Sequence, residues 1–431
     1  MRTKLGALAL LGVAAAVLGG CSEGGVAGST VSEAATGDLT VWLIGDDTPE
    51  SAREYLTATF EAGNAGWTLT IEQKSSADVV ESYAAALASD AAPDVVEVTS
   101  DAVLGLADAG LLADLTDIEA DLGDGGELIG GLVDAGTLDG TLYAAPYIGT
   151  GRVVLFSPQI VGYDLPATLE EYVEHGAALT TDAVSGIYAP SKDWYNALPF
   201  IWAYGGELAV EVDGAWDAQL SSDASIKGLE LLQQVYTTAT VAPEDGNARL
   251  GDIAFCAGEV GFLSSPAWVA GNIAGEWTWD DEATGGEGFD GCPDTYGADV
   301  SAFALPGAEE GETAPIFASG SSIAVTSASD AQTKAEAAVE IMLSEEYQEL
   351  LAAAGLSPGL TTAATALPDT AVAQAQAEAL ANSKGTPASP AWAEVEAAQL
   401  IPDALVEIAA GGDVVDIATE LDAAIEAILN G

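Results

Sequence analysis

The sequence predicts an α/β fold with a largely parallel sheet. Short apolar runs closed by Gly and Asp alternate with segments of helical period, the order that strand–helix–strand units produce. Apolar residues make up 49% of the 431 positions, so the chain can bury a large core. No segment recurs at a fixed period, which argues against a solenoid or a propeller. The length suggests two to three domains.

Residues 38–44 (DLTVWLI) form an apolar run that ends at Gly45, Asp46 and Asp47, as a buried parallel strand entering a loop would. A helix is predicted over 50–62, an alternating strand over 67–72, a helix over 77–89 and a third strand over 94–99 (DVVEVT). Ile226, Leu229, Leu232, Val235 and Tyr236 share one face of a helix over 224–239. A strand over 322–326 precedes one helix over 331–354, which stops at Gly355, a C-cap signal. Helices over 394–410 and 414–429 close the chain.

The chain carries 68 acidic residues against 10 Lys and Arg, a formal charge of −58. Phosphate contacts need a basic stripe, so nucleic-acid binding is not expected. Adhesion to an anionic membrane through protein charge is disfavoured for the same reason. Self-repulsion of this size weakens a compact state at low salt. At about 1 M salt the Debye length shrinks to roughly 3 Å and the repulsion is screened. The acid excess therefore fits a salt-adapted source or a secreted protein that is simply acidic. The one histidine, His175, lies in a predicted surface helix, which argues against His-based metal sites and triads.

Arg2 and Lys4 precede an apolar stretch over 5–18, too short to span a bilayer and of the kind that directs export. Leu18-Gly19-Gly20-Cys21 ends it and resembles the lipobox of bacterial lipoproteins, which implies a signal peptide over 1–20 and lipidation of Cys21. Residues 21–37 read as a flexible tether rich in Ser, Gly and Ala. The remaining pair, Cys256 and Cys292, suggests a disulfide in an oxidising compartment, pinning the loop over 280–291.

Motifs for chemistry are sparse. There is no phosphate-binding Gly-x-x-x-x-Gly-Lys loop and no Gly-x-Ser-x-Gly elbow. Asp280, Asp281, Glu282, Asp290 and Asp294 offer hard oxygens for Ca²⁺, but without EF-hand spacing a solvated acidic loop is the plainer reading, and no metal or cofactor is assigned. Carboxylate pairs are too numerous for any spacing to mark a glycosidase dyad. The nine Trp are more informative. Trp194 with Tyr195, Trp202, Trp268, Trp277, Trp279 and Trp392 stand in loop-like settings beside Gly, Pro or Asp. Such rings can cover the C–H face of a sugar while acids bond its edges.

Seven segments, in order, resemble the family 1 extracellular solute-binding proteins of bacterial ABC transporters, the maltose-binding-protein-like group. They are 41–47 (VWLIGDD), 93–112 from Pro93-Asp94-Val95-Val96 to Gly110-Leu111-Leu112, 140–147 (GTLYAAPY), 202–207 (WAYGGE), 254–268 from Ala254-Phe255 to Pro266-Ala267-Trp268, 320–325 (GSSIAV) and 343–348 (LSEEYQ). The resemblance implies two α/β lobes of the periplasmic-binding-protein type with the ligand cleft between them. The implied lobes are 38–147 plus 314–357, and 148–313 plus 358–431. It implies no enzyme activity, a carbohydrate ligand (a di- or oligosaccharide), an ABC permease as partner, a lipid anchor on the outer face of the membrane, and a monomer.

By position in these motifs, Asp46, Asp47 and Asp101 would reach sugar hydroxyls. Asp193, Trp194 and Tyr195 precede the Gly205-Gly206 turn, where the family places an aromatic. Trp268 takes the platform position, Trp392 lies near the last aromatic one, and Tyr147 and Ser321 fall in cleft-lining motifs. Arg152, just past the crossover, would fork either to ligand hydroxyls or to an acid across the cleft. Pro266-Ala267-Trp268 replaces the usual Gly-Pro-Trp, Phe156-Ser157 the usual Tyr-Asn, and Ser75-Ser76 stands where relatives carry an aromatic, which leaves the sugar open. Resemblance to actinobacterial relatives inclines it toward chitobiose-like or other disaccharides. The rivals are a same-fold receptor for a polyamine, iron or a peptide, and a secreted glycoside hydrolase.

Overall fold

The first apolar run becomes β1 (Gly37–Ile44), an eight-residue strand whose Leu39, Val41 and Leu43 point into one core layer. The structure, a computed structural model, describes residues 36–75, 83–89, 91–246, 248–275 and 289–431. The predicted signal peptide, Cys21 and most of the tether lie outside the described residues, as do Trp277, Trp279, residues 280–288 and the first half of the helix predicted over 77–89.

In chain order the strands that build the two main sheets are β1, β2 (Trp67–Lys74), β3 (Val95–Thr99), β4 (Ala145–Thr150), β5 (Arg152–Phe156), β6 (Ser185–Tyr188), β7 (Val260–Pro266), β8 (Ser301–Phe303), β9 (Ser319–Val325) and β10 (Ser357–Pro358). The first sheet has the order β10-β4-β9-β3-β1-β2 and the second β8-β5-β7-β6. Both are flanked by helices, so the α/β class and its two lobes hold. The largely parallel sheet does not. Within the two sheets, parallel pairing is confined to β1 with β2 and β3, and to β6 with β7. β9 returns from the second lobe and runs antiparallel to both β3 and β4, because a strand that crosses between lobes enters from the far end.

Each sheet is buried on both faces, as alternation along a strand requires. In β3, Val95 joins the layer of Leu39, Tyr147 and Tyr347, whereas Val96 and Val98 join the layer of Trp42, Tyr83 and Leu106. In β5, Val154 and Phe156 pack on Tyr172, Phe262 and Trp202, whereas Val153 and Leu155 face Phe255 and Val269. The chain passes between lobes at Gly151, between β8 and β9, and after β10. There Ile129, Leu132, Ile316, Ala318 and Leu380 form a small core of their own.

Two long predicted helices are each split. The 331–354 stretch forms Gln332–Met342 and Glu345–Ala353, because Ser344 between them accepts the amide of Tyr347 and starts a new helix. Gly355, at φ 91°, closes the second with the left-handed residue that glycine tolerates. The 394–410 stretch forms Trp392–Ala397 and Leu400–Ala409, separated by Gln399 in a left-handed conformation. Cys256 and Cys292 are bonded, with Cα atoms 5.5 Å apart, tying the helix Ala248–Cys256 to the segment that leads to β8.

Candidate functional site

β1 leads to β2 on one side and borders β3 on the other, so the ends of β1 and β3 form the switch point at which open α/β sheets place ligands. The turn after β1 starts at Gly45, whose φ of 63° suits glycine and whose amide donates to the Lys74 carbonyl at 2.7 Å. Asp46 and Asp47 are exposed on this turn. Thr48 is buried, its Oγ1 3.0 Å from the Tyr147 hydroxyl, which lies 2.7 Å from the Tyr347 hydroxyl. Burial holds the Tyr147 hydroxyl far above the ordinary tyrosine range.

Beneath the turn sits Glu97 of β3, only 4% exposed. Its Oε2 accepts the Ile44 amide at 2.7 Å and its Oε1 accepts the Ser321 hydroxyl at 2.6 Å. Burial pushes its carboxyl up to about 7; the two hydrogen bonds oppose the rise and the Asp47 charge adds to it. Asp101 is exposed beyond β3, just ahead of the short helix Val103–Asp108.

The second lobe presents a different wall. Arg152, the first residue of β5, pairs with Asp193 at 3.1 Å and donates to the Asn196 side chain and the Ser264 carbonyl, each at 3.3 Å. The acid that pairs with Arg152 is not one across the cleft, as expected, but Asp193 of the same lobe. Burial raises the Asp193 carboxyl while Arg152 pulls it down. Tyr195 stacks on Trp194 at 4.4 Å, packs against Phe317 at 5.0 Å and lies 5.8 Å from the Arg152 guanidinium. The ring is half-buried among these neighbours, with its hydroxyl at the tip. That hydroxyl is pushed up to about 12, first by burial and then by the charge of Glu396, with Asp101 of the other lobe adding to it. Trp392 donates its indole N–H to Glu396 at 2.9 Å, and burial raises the Glu396 carboxyl, again with a contribution from Asp101. The charge of Asp101 thus acts on both Tyr195 and Glu396.

Trp268 follows the end of β7, 47% exposed, beside the first crossover, where the Ala267 amide donates to the Gly151 carbonyl. Trp194 and Trp392 are buried instead, at 8% and 4%, and belong to the second lobe's core.

The predicted residues therefore fall into two groups: Asp46, Asp47, Tyr147 and Ser321 around the first turn, and Arg152, Asp193, Trp194 and Tyr195 beside the crossover strands. Asp101, in the first lobe, bears on the second group through its charge. Sequence reasoning missed Glu97, Phe317, Glu396 and Thr48. Glu97 was legible as the one charge inside the apolar strand VVEVT, and Glu396 as the acid four residues after Trp392 on a helix. Phe317 gave no local signal, because its partner Tyr195 is distant in sequence. A cavity of about 430 Å³ lies apart from these residues, between Asp134 and Thr137 of one lobe and Trp202, Glu207 and Trp216 of the other, with Lys384 paired to Glu207 at its edge. Among the described residues no cluster of His, Cys, Asp and Glu could hold a metal, and no helix is long and apolar enough to cross a membrane.

The profile described as "Bacterial extracellular solute-binding protein" matches residues 56–382. The chain is 28% identical over 374 residues to the diacetylchitobiose binding protein DasA of Streptomyces coelicolor, covering 83% of this chain and 81% of that one. The sugar-binding protein MalE of Xanthomonas citri superposes with a TM-score of 0.74 at 19% identity, covering 91% of this chain and 98% of that one. A cyclic α-maltosyl-1,6-maltose binding protein of Arthrobacter globiformis superposes with a TM-score of 0.72 at 19% identity, covering 92% and 100%.

Proposed function

The chain belongs to the bacterial extracellular solute-binding proteins, and from that premise we propose that it captures a di- or oligosaccharide between its lobes and passes it to the permease of an ABC importer. The observation that carries the reading is Trp268. A large aromatic left 47% exposed beside a lobe crossover has no packing reason to be there and suits the apolar face of a sugar ring. Asp46, Asp47 and Asp101 supply acceptors for hydroxyl and amide donors on the ring's edge. The name of the Streptomyces relative supports a diacetylchitobiose-like disaccharide, and the sugar-binding solved structures support the wider class.

The proposal extends to a monomer tethered by lipid on Cys21, with lobes 38–147 plus 314–357 and 148–313 plus 358–431, that leaves its ligand chemically unchanged. For the acid excess it adopts salt adaptation: a melting temperature that climbs with NaCl to molar levels supports this, and a flat response removes it.

The test is calorimetric titration against a panel of mono- and disaccharides that includes diacetylchitobiose and maltose, with wild type and Trp268→Ala in parallel. A micromolar dissociation constant, about −8 kcal/mol, that weakens in the variant is the expected result. No heat with any sugar in a folded protein would transfer the reading to a non-sugar ligand. Conversion of the sugar during titration would make the protein a hydrolase.

A further inference from the structure

We propose that Glu97 is a positioning residue of the cleft: its carboxylate clamps the turn after β1 in the shape that presents Asp46 and Asp47 to the ligand. The assignment rests on the reading of the cleft as the sugar site, but its geometry stands independently.

β1 pairs with β3 only at Val41–Val95 and Trp42–Val96. The backbone pairing stops at Trp42, short of the Ile44 amide. Glu97 fills the gap with Oε2, at 2.7 Å. Its other oxygen takes the Ser321 hydroxyl of β9, so one side chain joins β1 to β9 across β3. The far end of the turn is held separately, by Thr48 on Tyr147. On the β2 side the Gly45 amide donates to the Lys74 carbonyl, and the Gln73 side chain donates to the Gly45 carbonyl at 3.0 Å. Asp46 and Asp47 are left exposed between fixed ends.

An acid in the middle of a buried strand breaks the apolar pattern of its neighbours Val95, Val96 and Val98. Such breaks are expected where a local cost serves a site. Its titratable surroundings are Asp47 from the turn, Tyr83 from the other face, Tyr147 from β4 and Tyr347 from the helix Glu345–Ala353, with no cation among the groups that shift it. A bound partner cation is therefore not what keeps this carboxyl in place; the two hydrogen bonds are. Both survive replacement by an amide, whose oxygen accepts from Ile44 and whose NH₂ donates to Ser321. Neither survives a methionine of similar length.

The experiment compares Glu97→Gln and Glu97→Met in the full chain. Hydrogen exchange over residues 44–48 is read without ligand, and sugar affinity by calorimetry. The expected result is faster exchange over 44–48 and a dissociation constant raised roughly tenfold or more in Glu97→Met, since small misplacements of binding groups cost this much. Glu97→Gln should restore both to near wild type. A folded Glu97→Met with wild-type exchange and wild-type affinity would overturn the assignment, as would loss of affinity with unchanged exchange. If Glu97→Met does not fold, Ser321→Ala removes one of the two bonds: faster exchange over 44–48 supports the clamp and unchanged exchange overturns it. If the wild type binds no sugar, the proposed function fails and the exchange arm still decides the clamp.

Discussion

The two walls of the cleft are built by opposite means. The first lobe holds exposed carboxylates on a turn whose ends are fixed by buried polar contacts, Ile44 to Glu97 and Thr48 to Tyr147. The second lobe seats its aromatic groups on a hydrophobic core, Trp194 beneath Tyr195 and Phe317 beside it, and adds a disulfide. Acceptors for sugar hydroxyls must stay solvated and aimed, which hydrogen bonds accomplish. Apolar faces need only stay put, which packing accomplishes. A ligand that is apolar on its face and polar on its edge needs both.

The largest effect should come from covalent asymmetry. Removing the disulfide frees a loop with a sequence separation of 36 residues, at a cost of about 4 kcal/mol in the chain-entropy model. Cys256→Ala with Cys292→Ala should lower the melting temperature, with amide exchange rising in the second lobe first. Equal loosening of both lobes would erase the contrast.

The buried carboxylate of the first lobe comes next. Glu97 titrates near 7 when folded against an ordinary 4.5. Its raised value favours the protonated folded state, so its contribution is complete below about pH 4.5 and is lost as pH rises through about 7, on the order of 3 kcal/mol. Unfolding of wild type and Glu97→Gln by denaturant between pH 4 and 8 should show the difference between them change across that window. Parallel curves would remove Glu97 as its source.

Removing the exposed ring proposed as the platform, Trp268→Ala, should weaken sugar binding roughly a hundredfold with little change in melting temperature, in the range of interface hot spots. Trp194→Ala should do the reverse, lowering stability more than affinity, because that ring is core. Similar profiles for the two would mean that exposure does not separate platform from support. The smallest effect is expected from Asp101→Asn, about a tenfold loss of affinity by removal of one charged acceptor. It should also lower the titration points of Tyr195 and Glu396, which Asp101 raises. Carboxyl NMR shifts of Glu396 would read this, and no movement would separate Asp101 from the second wall.

Much of the fold could be read locally. β1 and β3 appear as apolar runs, β2 as an alternating stretch, and the last helix, Val414–Leu429, as one periodic stretch. The helix breaks at Ser344 and Gln399 were missed because apolar period runs through them while capping and a left-handed residue end the hydrogen bonding. For the candidate site, Asp46, Asp47 and Asp101 were singled out by their positions in the motifs that resemble the family, which are local stretches of sequence. The family's motifs set Trp268 apart as the platform position, but that Trp194 is buried and Trp268 exposed was not legible, since both are tryptophans beside small or polar residues.

By itself the sequence determined the acidic charge, the alternation of strands and helices, the pairing of its last two cysteines and the order of the family's motifs, all properties of neighbouring residues or of simple counts. Only the tertiary structure decided that β9 returns antiparallel beside β3, that Glu97 bridges Ile44 and Ser321, 53 and 224 positions away from it, and that the charge of Asp101 bears on Tyr195 and Glu396. These depend on contacts between segments far apart in the chain, and burial and electrostatic coupling exist only once those segments have met.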